Sequence, residues 1–147
     1  MPRFAPYGWV RQVIRFTVPF TTFLSTTGQV NFELSKLHGF AFEIEKIEIL
    51  PTTIGTGAGA TRVINVRKGS ATGTVVATVT ATLANQGVLG VVTVGTVTTA
   101  GDVNKFSDQG AAPDALTIEF PTAGSVVFTA GGLELLVTIR QRNQRAG

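Results

Sequence analysis

Three observations make this an all-β chain. About nine or ten short apolar-alternating runs are separated by turn signals at intervals of roughly 8–12 residues. No stretch shows a convincing helical period, and Val, Ala, Thr and Gly dominate the composition. Together they predict an antiparallel two-sheet, jelly-roll-like β-sandwich with an extended N-terminal arm. The expected boundaries are an arm over 1–9, a single β-domain over 10–139 and a basic tail over 140–147.

The arm, MPRFAPYGW, brackets Phe4 with Pro2 and Pro6 and continues to Tyr7 and Trp9. Proline at that density opposes a helix and favours extended backbone. Burying the three aromatics would contribute roughly 1.5–3 kcal/mol each, against about 1–2 kcal/mol for fixing each residue of the arm. The arm is therefore expected to order only against another surface, either its own domain or a second chain. From Val10 to Phe20 the even positions Val10, Ile14, Phe16, Val18 and Phe20 are apolar, which reads as a strand, with Pro19 at an edge or bulge. Val30, Phe32 and Leu34 alternate as a second strand.

Phe40 to Leu50 keeps Phe40, Phe42 and Ile44 on one face and then changes phase, so that Ile47 and Ile49 continue it. A β-bulge near Glu45 and Lys46 restores a single apolar face. Pro51 is expected to end this run and TTIGTGAGA to form a flexible loop. Thr61 to Leu83 reads as a β-hairpin around GSATG, with Ile64 and Val66 in one arm and Val75, Ala77, Val79, Ala81 and Leu83 on one face of the other. A turn, ANQG, precedes VLGVVTV, a strand interrupted by glycine. The polar stretch from 95 to 115 is the longest irregular segment. Leu116 to Phe120, a short strand around Val126 and Phe128, and Leu133 to Ile139 complete the pattern.

The chain is long enough for one domain with its own core. Cysteine is absent, so disulfides, thiolate catalysis and Cys-based metal sites are excluded. No apolar run reaches the roughly 18 residues of a membrane helix, and Arg11 and Arg15 break up any secretory leader. Arg3, Arg11 and Arg15 at one end and Arg140, Arg142 and Arg145 at the other have no acid among them, which leaves 16–139 at net −3. Such ends suit acidic partner surfaces. Candidate partner contacts are therefore Arg3, Phe4, Tyr7, Trp9 and Arg11 from the arm side, and Arg140, Arg142 and Arg145 from the tail.

Catalytic parts are few. His38 is the sole histidine, in a turn, so triads and zinc sites lack their components. Glu43 and Glu45 share a strand face, which is the raw material of glycosidic chemistry, but Lys46 beside them marks an exposed charged face. Asp102, Asp108 and Asp114 lack EF-hand spacing and read as turn formers. GTGAG at Gly55–Gly59 precedes a strand rather than a helix and has no phosphate-binding lysine. The expectation is a non-enzyme without cofactor or metal.

The run TRVINVRKGSATGTVVATVTATL, the long polar loop and ALTIEFPTAGSVVFTAGGLELLVTIRQR cover the C-terminal two thirds. In them the turn Arg67-Lys68-Gly69, the strand Val75–Thr78 and the final strands around Gly131–Ile139 carry a likeness. They resemble the jelly-roll head decoration (cement) proteins and related virion proteins of tailed bacteriophages. The resemblance implies a structural protein, made in the host cytoplasm and placed on the capsid surface of the virion. It implies an oligomer, usually a trimer, bound to the outer lattice of a major capsid protein. The N-terminal third departs from that pattern, so nothing about the arm's partner is transferred. A tail or fibre receptor-binding module would use the same fold to hold carbohydrate, with exposed aromatics beside acids in its loops; here the aromatics sit in strands and the arm. Nucleic acid is not expected as a partner, because no strand presents a basic face interleaved with aromatics.

Overall fold

The computed structural model describes residues 11–18, 30–34, 41–69, 72–106, 116–121 and 128–141. Among these, the strands are β1 (Arg11–Val18), β2 (Val30–Leu34), β3 (Phe42–Thr56), β4 (Thr61–Lys68), β5 (Thr74–Thr82), β6 (Thr93–Val94), β7 (Thr96–Val97), β8 (Lys105–Phe106), β9 (Leu116–Phe120) and β10 (Ala130–Gln141). One helical turn, α1 (Leu83–Gln86), follows β5, and a 3-10 turn spans Ala100–Asp102.

The strands form two antiparallel five-stranded sheets curled into a sandwich. The first runs β1-β10-β3-β6, with β8 also on β3; the second runs β2-β9-β4-β5-β7. The pairings nest: β1 with β10, β2 with β9, β3 with β8 and β4 with β5. The alternating faces close on one another. Ile44, Ile47, Ile49, Leu133, Leu135, Val137 and Ile139 of the first sheet share a core with Ile64, Val66, Val76, Val79, Ile118 and Phe120 of the second. On β1, Ile14 and Phe16 pack against that core and Val18 is buried in it, as the even-numbered pattern requires.

The phase change in β3 is a bulge. Thr138 pairs with Lys46 and Ile139 with Ile44, so Glu45 is the extra residue, and Ile44, Ile47 and Ile49 all stay in the core. Three sequence expectations need correction. Pro51 does not end this strand, which continues to Thr56 through the expected loop; Pro51 sits opposite Leu133, next to a register shift, where a missing N–H is tolerated. In β5 a second shift leaves Val76 opposite no partner between Val66–Ala77 and Arg67–Val75. Val76 rather than Val75 is therefore buried, and Leu83 leaves the sheet for α1 and is exposed. The expected strand VLGVVTV is reduced to Thr93–Val94.

Within the expected irregular segment 95–115, residues 95–106 are described and are more ordered than their composition implies, while 107–115 lie outside the described residues. Gly95 donates its N–H to Ile47 O at 2.7 Å and Thr98 donates to Val76 O at 2.9 Å, so this segment ties the two sheets together. Asn104 brackets Ile44, accepting from its N–H at 2.9 Å and donating its side-chain amide to its carbonyl at 3.0 Å. Phe106 stacks on Phe42 with ring centroids 4.7 Å apart. Phe128 is buried but is not in a strand. The arm over 1–9 and the tail beyond Gln141 lie outside the described residues, as do His38, Asp108 and Asp114.

Candidate functional site

Of the candidate partner contacts, Arg11 and Arg140 are described; Arg3, Phe4, Tyr7, Trp9, Arg142 and Arg145 lie outside the described residues. Register alone brings the two together. Arg11 on β1 stands opposite Arg140 on β10, Arg140 opposite Glu43 on β3, and Glu43 opposite Lys105 on β8. This cross-strand row lies on the outer face of the first sheet, with Glu45 lifted beside it by the bulge. Arg11 forks onto Glu45, with Nε donating at 2.8 Å and Nη2 at 3.4 Å. These hydrogen bonds, reinforced by the Glu45 charge, raise the Arg11 guanidinium above its ordinary range. Arg140 donates to Glu43 and approaches Glu45 at 3.9 Å. Glu43, expected on an exposed face, is buried beneath these neighbours at 8% exposure.

The same pairing extends over every carboxylate whose side chain is described. Glu134 takes Arg15 at 3.0 Å, Glu48 takes Lys46 at 3.3 Å, Asp102 takes Lys105 at 3.0 Å and Glu119 takes Arg67 at 2.8 Å. Glu119 is the most deeply buried of them, with 3% of its side chain exposed, and it also accepts from Asn65 Nδ2 at 3.0 Å. A buried pair of this kind tolerates the loss of neither member, because the other would be left charged in low dielectric.

The turn Arg67-Lys68-Gly69, on which the sequence likeness leans, is structural. Arg67 also donates to Gly73 O, Lys68 crosses to the other sheet to donate to Lys105 O, and Gly69 O accepts from Thr117 Oγ1, each at 2.5 Å. Gly69 has φ +90°, a backbone that glycine adopts without strain. Nearby in β4, Arg62 lies inside the protein with its guanidinium 5.7 Å from the Phe120 ring centroid, and burial lowers its pKa.

A cleft of about 370 Å³ opens beside the charged row, lined by Glu43, Ile44, Glu45, Thr99, Asp102, Asn104 and Lys105. Its three carboxylates are those already held by Arg140, Arg11 and Lys105. Its lining has no aromatic ring, and no metal-ligand cluster is found among the described residues.

The other distinctive surface was missed at the level of sequence. Leu83, Val88, Leu89, Val91, Val92 and Val94 are exposed, with Val88 at 57% and Val94 at 58%, and Ile54 on β3 is exposed as well. Among the described residues only Val13 adds to this set of exposed large hydrophobics. The segment is held from beneath. Thr82 caps α1 by accepting from Asn85 N–H, while the Asn85 side chain accepts from Thr82 N–H; a Cβ on Gly55 would meet Gln86 at 2.8 Å. The result is a preformed apolar rim along the β6 edge of the sandwich. Gly69–Gly101 contains no Asp, Glu, Lys or Arg, and in VLGVV apolar residues fall on both faces of any strand. Those two signals would have found the rim.

Comparison with protein-family models, with curated proteins and with solved structures found no match.

Proposed function

We propose that this chain is a non-enzymatic structural protein of a virion, a jelly-roll domain that decorates the outer lattice of a phage capsid as an oligomer and stabilises it. The observation that carries the reading is the contrast between its surfaces. Every carboxylate whose side chain is described is held by a cation of the same domain, while one edge carries an uncharged apolar rim of the kind that marks protein–protein contact. Burying a half-exposed Val or Leu contributes about half of the roughly 1.5–3 kcal/mol of full burial, so the rim repeated over many copies is a substantial driving force.

Strand order supports the jelly-roll part of the reading. Nested pairs β1–β10, β2–β9, β3–β8 and β4–β5, divided between two sheets, are what a long antiparallel hairpin gives when rolled into two Greek keys. Fold carries no function by itself, and the placement on a capsid rests on the sequence likeness. The arginines of the terminal arm and tail are the remaining contacts, aimed at acidic surfaces of the major capsid protein. The homotrimer belongs to the same reading.

A carbohydrate-binding tail or fibre module is the second reading, favoured by the polar cleft beside Glu43 and Asp102. Cryo-electron microscopy of virions made with and without this chain separates the two. Density for it at repeated positions on the capsid exterior is expected; density confined to the tail would overturn the capsid reading.

A further inference from the structure

We propose that the apolar rim is covered by the N-terminal arm of a neighbouring copy of this chain, a head-to-tail contact that links copies in a ring. The inference deepens the oligomeric part of the proposed function and rests on it. It follows from where the described chain begins. Residues 1–10 lead into Arg11, which stands at the β1 edge of the first sheet, in the row Arg11–Arg140–Glu43. The rim lies at the other edge, on β6, and toward the other end, since β6 pairs with Glu48 and Ile49 and the exposed Ile54 lies further on along β3.

Across the sheet β1 and β6 are three strand spacings apart, about 14 Å. Along the strands, Glu43 to Glu48 adds about 17 Å, and Val91 and Val92 lie beyond that. The rim is therefore diagonal to Arg11, at about 22 Å for its nearest residue and more for the rest. A fully extended chain places Trp9 at most about 7 Å from Arg11 and Tyr7 at most about 14 Å. β1 itself runs from Arg11 toward the rim's end of the sheet. Phe4 comes within range only by drawing the arm straight across the outer face, over Arg15–Glu134 and Lys46–Glu48. Tyr7 at full extension touches only the nearest rim residue, and Trp9 does not reach its own rim at all.

An apolar arm joined to the sheet at Arg11 and an apolar rim at the diagonal corner fit a heterologous contact, in which the arm of one copy meets the rim of the next and a closing rotation gives a ring. The chemistry agrees. The arm carries Phe4, Tyr7 and Trp9 and no acid, and the rim has no charge to be stranded beneath it. Because the rim is held by the α1 cap and by Gly95, it is preorganised and costs little to order on contact.

The chain has no cysteine, so single thiols report this contact cleanly. Full-length Trp9→Cys and full-length Val91→Cys are mixed and treated with a short bis-maleimide, with Thr74→Cys on the exposed start of β5 replacing the rim thiol as control. At least tenfold more covalent dimer is expected from the arm-and-rim mixture than from the arm-and-control mixture. Yields equal to the control, rim-to-rim dimers of Val91→Cys alone exceeding the mixed product, or intrachain closure of the double variant would each overturn the proposal. So would a monomer by sedimentation at the cross-linking concentration.

In a double-mutant cycle, Tyr7→Ala/Trp9→Ala and Val91→Asp/Val92→Asp should each weaken self-association at least tenfold, and together no further; additive losses would contradict it. Capsid density without arm-to-rim cross-links would remove this contact and leave the capsid reading standing. Cross-links in a protein missing from the capsid would do the reverse.

Discussion

Replacing Gly95 by alanine should loosen the joint between the two sheets. Gly95 separates β6 in one sheet from β7 in the other, and a Cβ there would lie 2.2 Å from Thr78 O, 2.7 Å from Val79 Cβ and 2.8 Å from Ile47 Cγ2. Thr78 O is backbone and cannot swing aside, so the chain must move. Overpacking of this kind costs about 1–3 kcal/mol. The same movement stretches the hydrogen bond from Gly95 N–H to Ile47 O, worth about 0.5–1.5 kcal/mol. A loss of about 2–4 kcal/mol is expected, a large part of the roughly 5–15 kcal/mol that holds a domain, and it should lower Tm by about 5–15 °C for a domain of this size. Urea unfolding followed by circular dichroism measures it, with Gly90→Ala as the comparison. Gly90 has φ +79° and nothing within 4 Å of an added Cβ, so that change meets only the left-handed backbone penalty of about 1–2 kcal/mol. If Gly95→Ala unfolds at the wild-type midpoint, or is no worse than Gly90→Ala, the close approach of the sheets at this residue is wrong.

Glu119→Leu leaves Arg67 without its buried carboxylate and should destabilise the domain by about 3–5 kcal/mol; a shift in the urea midpoint worth under 1 kcal/mol would show that the pair is not buried. Thr82→Ala removes the α1 cap and should lose about 0.5–2 kcal/mol, with larger hydrogen-exchange rates at Asn85 than in β5 as the local readout. Val91→Asp/Val92→Asp touches only exposed side chains, so its unfolding midpoint should stay within about 0.5 kcal/mol of wild type while self-association falls. A large loss of stability would mean that these valines belong to the core.

The sheet grammar was legible in the sequence where one face alone is apolar. In Phe42–Ile49 the switch from even to odd apolar positions located the bulge near Glu45 and Lys46, because a core strand cannot carry such a shift otherwise, and the register makes Glu45 the extra residue. The bulge at Val76 was hidden, since Val75, Val76 and Ala77 are all apolar and any register suits their alternation. Pro51 misled because proline ends strands only where its N–H is needed, and at a register shift it is not. Four residues of α1 are too few to show a helical period, although Thr82 and Asn85 hold the cap spacing. At the candidate site, Arg11 and Arg140 were legible as unbalanced terminal charge. That Arg11 pairs with Glu45 and Arg140 with Glu43 was not, because these partners meet only through the β1–β10–β3 register, far apart in the chain. The rim escaped notice for a related reason: a run such as VLGVV looks like core until a neighbouring sheet fails to cover it.

The claim at the centre of this account, attachment to a capsid exterior, is tested most directly by co-sedimenting the purified full-length chain with capsids assembled without it. Saturable binding is predicted, at a fixed number of copies per capsid and lost when residues 1–9 are deleted from a chain that still folds by circular dichroism. A chain that stays in the supernatant at every concentration, or binds without saturation, would contradict it.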